Sequence, residues 1–192
     1  MLESALSTVS HAITLLLPLT VAGLVFIAAM RKGWFASLQI PLDGGLLLGG
    51  RPLIGPSKSL RSLVFYVVLG TAVTVVLHLV APLTPLVAPV FLDNPFILGP
   101  VTAVLYVAGE VLNSFVKRRL GIPTSTSPAG GLGGRIQEVM DTIDGTLASG
   151  LVLLVAYRVP WETLAVAFAI SVVTHLSTDA LMRRIGLKHK KQ

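Results

Sequence analysis

The chain has no cysteine, which excludes a disulfide framework, a thiol nucleophile and a cysteine-ligated metal site. Charge is scarce as well: 12% of the 192 residues are charged and 53% are apolar. The excess of cations over acids, 15 against nine, is gathered into three short segments. Such a distribution points to membrane topology and anionic ligands, not to nucleic acid. There is no direct or inverted repeat, and this weakens the case for a transporter built from paired halves. The first apolar run lacks a basic segment before it and reads as a retained span, not a cleaved signal. With a mean hydropathy of +0.82, the composition is that of an all-α integral membrane protein.

Five transmembrane helices are expected in one membrane domain, over residues 12–30, 62–81, 96–116, 136–157 and 161–182. Most of these runs can cross about 30 Å of hydrocarbon at about 1.5 Å per residue. The fourth needs an argument, because only 13 residues separate Asp144 from Arg158, about 20 Å of helix. It must therefore begin near Ile136 and carry Asp141 and Asp144 inside it. Fourteen of the fifteen cations fall in loops 31–61 and 117–135 or in the tail, leaving only Arg158 opposite. That bias places the loops and the C-terminus in the cytoplasm and the N-terminus outside, a parity that five spans satisfy. The expected location is the cell membrane, multi-pass.

The chemistry concentrates between Gly109 and Asp144. On a helix Glu110, Ser114 and Lys117 fall at i, i+4 and i+7 and share a face, as do Asp141 and Asp144 at i and i+3. Acids at that depth are costly against lipid and face a bundle interior or a watery cavity. One polar cavity, open to the cytoplasm and walled by spans three to five, is expected. Lys117, Arg118 and Arg119 alone would be a stop signal, and acids early in span four would favour the helix dipole. Together they are what a metal-bound polyphosphate needs, with carboxylates for Mg²⁺ and cations for phosphate oxygens. Asp141 and Asp144 are the first choice of metal ligands, with Glu110 as an optional third. Loop 31–61 adds Asp43, Arg51, Lys58 and Arg61. His175 lies one turn before Asp179 and is either its structural partner or a substrate contact. GGLGGR, residues 130–135, is not a Walker motif and reads as a flexible loop. His11 and His78 receive no chemical role, and no nucleophilic triad emerges.

With these residues in view, the chain resembles the CDP-archaeol synthase family, membrane relatives of bacterial CDP-diacylglycerol synthases. DGG at 43–45 followed by GRPLIGPSKSLRS is similar to the family's first cytoplasmic loop, through Gly50, Arg51, Gly55, Lys58 and Arg61. GEVLNSFVKRRLGIP resembles its most specific motif, DTID its Asp-x-x-Asp, and THLSTDALMRRIGLK its closing helix. Three positions depart from the pattern: Glu110 stands where an aspartate is usual, Asp179 where an amide is usual, and Gly145 where a larger residue is expected. The resemblance implies a Mg²⁺-dependent cytidylyltransferase that joins CTP to an isoprenoid di-ether lipid phosphate at the bilayer, releasing pyrophosphate. Lys117, Arg118, Asp141 and Asp144 would be catalytic. Asp43, Arg51, Lys58, Arg61, Ser114, Arg119 and His175 would bind substrate. A non-enzymatic carrier of anionic lipid or phosphate would use the same cations but would not set three acids beside them. A structural membrane subunit would leave the buried charges unexplained.

Overall fold

The computed structural model describes residues 2–122 and 131–186. Five long helices make up most of it: α1 (Leu2–Lys32), α2 (Leu60–Val80), α3 (Pro95–Arg119), α4 (Gly131–Val155) and α5 (Trp161–Arg184). A two-stranded antiparallel hairpin, β1 (Leu47–Leu48) and β2 (Arg51–Pro52), stands between α1 and α2. Much of the 117–135 loop, the tail from residue 187, and the side chains of Arg135, Asp179 and Arg183 lie outside the described residues. GGLGGR falls differently from expectation, since α4 already includes its last five residues from Gly131.

Local chemistry sets the helix ends. Ser59 caps α2 by accepting from Ser62 N, and the Ser62 hydroxyl accepts from Ser59 N in return. Asn94 caps α3 through Phe96 N, and Pro95 at the first helical position loses no needed donor. α3 stops at Gly121, whose φ of +78° suits a residue without a Cβ. Ile122 N then donates to Lys117 O at 2.9 Å and Gly121 N to Arg118 O at 3.2 Å, the paired bonds that satisfy otherwise orphaned carbonyls. Arg31 and Lys32 in the last turn of α1 complement its dipole.

α3 is the central helix, packed most extensively on α4 and α2, while α1 bridges α2 and α5. An apolar cluster that includes Leu15, Leu77, Phe91, Leu98, Leu153 and Val159 fills the end of the bundle where α2 and α4 finish and α3 begins. His78 Nδ1 and His11 Nε2 reach the Phe91 and Pro85 carbonyls at 2.8 Å and 2.9 Å. Both histidines pin the α2–α3 connector, in keeping with the absence of a chemical role.

Among the described residues, four helices are long and apolar enough to cross a membrane: Glu3–Lys32, Leu60–Leu83, Pro95–Arg119 and Trp161–Met182. α4 matches α3 in length, at 25 residues each, but Arg135, Glu138, Asp141 and Asp144 interrupt its first half. The fourth expected span, 136–157, therefore does not qualify by composition. Two of its acids, Asp141 and Asp144, bond to side chains of α3.

Candidate active site

The site forms where the second half of α3 crosses the first half of α4. Small residues permit the approach: a Cβ built on Gly109 would lie 2.4 Å from the Asp144 carbonyl oxygen. Close backbone contact is how helices associate when lipid supplies no hydrophobic drive. Here it carries the two acids of α4 against the polar face of α3.

One amide joins those acids. Asn113 Nδ2 donates to Asp141 Oδ1 and to Asp144 Oδ2, each at 2.8 Å. Gln137 Nε2 donates to Asn113 Oδ1 at 2.9 Å and to Asp141 Oδ1 at 3.0 Å, which fixes the direction of the bridging amide. Lys117 Nζ grips Asp141 through both oxygens, at 3.0 Å and 2.8 Å. Asp144 accepts from Asn113 and from Gly145 N, the latter at 2.6 Å. Among the described residues it forms no salt bridge with a cation.

From the α1–α2 loop, Lys58 Nζ reaches Glu110 Oε2 at 2.7 Å. Burial would lower the Lys58 pKa. The charge and hydrogen bond of Glu110, followed by the charges of Asp144 and Asp141, outweigh it and hold the ammonium above its usual range.

The remaining cations of this region hold backbone. Arg118 donates from Nε to Ile54 O at 3.2 Å and from Nη1 to Ile122 O. Arg119 reaches Leu48 O and Pro52 O, each at 2.7 Å, and Arg51 returns a bond to Arg119 O at 3.1 Å. Arg61 donates to Ala29 O at 2.6 Å and lies over the Phe26 ring. Asp43 organises the same loop by accepting from Gly45, Ile54 and Gly55 amides at 2.8 Å to 3.0 Å. Burial opposes ionisation of that carboxyl, but the Gly55, Gly45 and Ile54 amides prevail and its pKa lies below the ordinary value. Three expected substrate contacts, Asp43, Arg51 and Arg119, and the expected catalytic Arg118 thus build the frame of the hairpin loop in this structure, while Arg61 ties the start of α2 to α1.

The structure brings together Glu110, Lys117, Asp141, Asp144 and Lys58. Ser114 is buried on the same helix, and His175 is half-buried on α5. Asn113 and Gln137, absent from the sequence reading, are the residues that knit the acids. The pair fits a divalent cation, with two carboxylates drawn to one point and one of them lacking a cationic partner among the described residues. Glu110, the optional third acid, is paired with Lys58 in this structure. No three acid or histidine side chains converge on one point among the described residues.

These polar groups bond directly to one another. An open apolar groove of about 470 Å³ lies between Leu53 and Ile54 of the loop and Ala108, Val111, Leu112 and Phe115 of α3. Those α3 positions are offset by two residues from Glu110, Asn113, Ser114 and Lys117, about 200° around the helix. Groove and acids occupy opposite sides of α3.

The sequence profile of CarS-like CDP-archaeol synthases matches residues 7–191. A CDP-archaeol synthase of Pyrobaculum arsenaticum is 29% identical over 163 residues, covering 84% of this chain and 85% of the relative. That of Hyperthermus butylicus is 28% identical over 152 residues, covering 77% and 79%. That of Saccharolobus solfataricus is 25% identical over 163 residues, covering 84% and 87%. A solved structure of an intramembrane enzyme for archaeal membrane lipid biosynthesis superposes with a TM-score of 0.59 at 26% identity, over 88% of this chain and 92% of that one.

Proposed function

Because the chain belongs to the CarS-like CDP-archaeol synthase family, a family of nucleotidyltransferases acting on a lipid precursor, we propose that it joins CTP to an isoprenoid di-ether lipid phosphate. An oxygen of the lipid phosphate attacks the α-phosphorus of CTP in line. The bond from that phosphorus to the β-bridging oxygen breaks, giving CDP-archaeol and pyrophosphate.

The observation that carries this reading is the Asn113 amide joined to both Asp141 and Asp144 at 2.8 Å. Asp141 and Asp144 would hold Mg²⁺, with Asn113 and Gln137 fixing their orientation. The ion would supply charge neutralisation for the triphosphate and its leaving group. Lys117 and Lys58 stand nearest the acids and would turn their ammonium groups to the phosphate oxygens as substrate enters. Glu110 holds Lys58 in that position. Arg51, Arg118 and Arg119 keep the hairpin loop over the end of α3, Asp43 keeps the loop folded, and Arg61 fastens α2 to α1. Ser114 and His175 are the further polar contacts assigned to substrate.

We assign five spans to the bundle, with α4 crossing inside it, the N-terminus outside and the acid pair facing the cytoplasm, where CTP is found. The cation bias supports that orientation. Trp34, stacked beneath Lys32 Nζ at 5.0 Å, suits the cytoplasmic interface.

The test is pyrophosphate release by the purified protein in detergent with CTP, Mg²⁺ and an archaeal di-ether lipid phosphate, omitting each in turn. Release that needs all three is expected. Release without the lipid, or none while CTP still binds, would count against the proposed acceptor.

A further inference from the structure

Two tyrosines unused by the chemistry lie beside the acid pair. Tyr106 is one turn before Glu110 on α3, and its ring faces the residue that follows Asp144. A Cβ built on Gly145 would lie 2.7 Å from Tyr106 Cδ2 and Cε2, closer than carbon atoms approach in proteins. The ring is seated in the space that the missing side chain leaves. Behind it stands Tyr66 of α2, with ring centroids 5.0 Å apart and planes inclined by 33°. Tyr66 has its own stop, since its hydroxyl oxygen is 3.1 Å from where a Cβ on Gly23 of α1 would be.

A line of contacts thus runs from Gly23 through Tyr66 and Tyr106 to Gly145, across four helices. α4 is also limited by Gly109, whose missing Cβ admits the Asp144 carbonyl. The backbone at 144–145 rests on that glycine and on the Tyr106 ring, both of α3. A shift of α4 against α3 would carry the Asp144 carboxylate with it and change the length and direction of its 2.8 Å bond to Asn113. The resemblance leads one to expect a large residue after the second acid. In this chain the bulk is supplied from α3 instead.

We propose that Tyr106 is a positioning residue: seated against Gly145, its ring sets the separation of α3 and α4 at Asp144 and thereby the grip of the acid pair on a divalent cation. The proposal rests on the reading of Asp141 and Asp144 as the metal-holding pair. It adds a residue that touches neither metal nor substrate.

The probe is Mn²⁺ alone, added to the purified full chain in detergent and followed by electron paramagnetic resonance. Tyr106→Phe keeps the ring and should bind as the unaltered chain does. Gly145→Ala forces the ring and the helix apart, and Tyr106→Ala leaves the space empty. Each should weaken Mn²⁺ binding about tenfold or more. The double variant Tyr106→Ala/Gly145→Phe returns a ring from the other side of the interface and should recover most of the affinity lost in Tyr106→Ala. If Gly145→Ala does not fold, the comparison of Tyr106→Ala with the double variant decides. Mn²⁺ binding by Tyr106→Ala or Gly145→Ala equal to that of the unaltered chain overturns the proposal, as does a double variant no better than Tyr106→Ala. An unaltered chain that binds no Mn²⁺ is a separate result, which overturns the metal reading itself and the proposal with it.

Discussion

Lys58 Nζ donates to Glu110 Oε2 at 2.7 Å across 52 positions of sequence, fastening the α1–α2 loop to the middle of α3. Both side chains are largely withdrawn from solvent, at 21% and 16% exposure. Removing one partner strands the other, which costs about 3–5 kcal/mol when burial is complete and less with this residual exposure. Glu110→Gln and Lys58→Met should each lower the melting temperature in detergent, and the double variant should lose less than the sum of the two.

The pair also fixes an alkaline limit. Lys58 has its folded pKa raised above the 10.5 usual for lysine, so its contribution is fully present below that value and disappears as pH rises through the folded pKa. Thermal unfolding followed from pH 7 to pH 11 should show this loss in the unaltered chain. Lys58→Met should lack that component.

Asp144→Asn keeps the shape of the side chain and removes its charge. It should abolish metal-dependent pyrophosphate release while the protein remains folded. An active variant at ordinary Mg²⁺ concentration would take Asp144 out of the metal site. Chelation with EDTA should silence the unaltered enzyme, with Mg²⁺ restoring it.

Asn113→Ala deletes the amide that spans the acids. Supporting groups of this kind are worth about 10- to 100-fold in metal affinity or activity. A loss of that size should be read in Mn²⁺ affinity, with melting temperature measured alongside to separate an effect on the site from an effect on folding.

Asp43→Ala should release the loop. Three amides converge on this carboxylate, and a hydrogen bond to a charged group contributes about 1.5–3 kcal/mol. Its folded pKa lies below 3.8, so the stabilisation holds above that value and fades as pH falls through the folded pKa. Hydrogen exchange across residues 43–58 should rise in the variant at pH 7.

The sequence is most legible where hydropathy and charge speak together. Four of the helices end within five residues of their expected limits, while α1 begins ten residues earlier, and helical spacing puts Glu110 with Lys117 and Asp141 with Asp144 on one face each. Asn113 and Gln137 leave no such mark. An uncharged amide is unremarkable in a helix until the register of α3 on α4 is known, and then it becomes the bridge. The cations are legible in kind but not in the partners they take here. Arg118 and Arg119 have the chemistry to hold phosphate, but the chain folds a hairpin beside them whose carbonyls also need donors. Gly145 was legible as a departure; its counterpart Tyr106 was not, because two residues that exchange volume across an interface need share no pattern along the chain.

The close of α3 has a consequence for how its sequence can change. Lys117 turns to an acid of α4, Arg118 to Ile54 and Arg119 to the hairpin, three neighbours in sequence sent in three directions by a turn of about 100° per residue. Substitution at any one of them loosens one attachment. Inserting or deleting a single residue after Asn113 would misdirect all three at once, so this turn should tolerate changes of letter far better than changes of length.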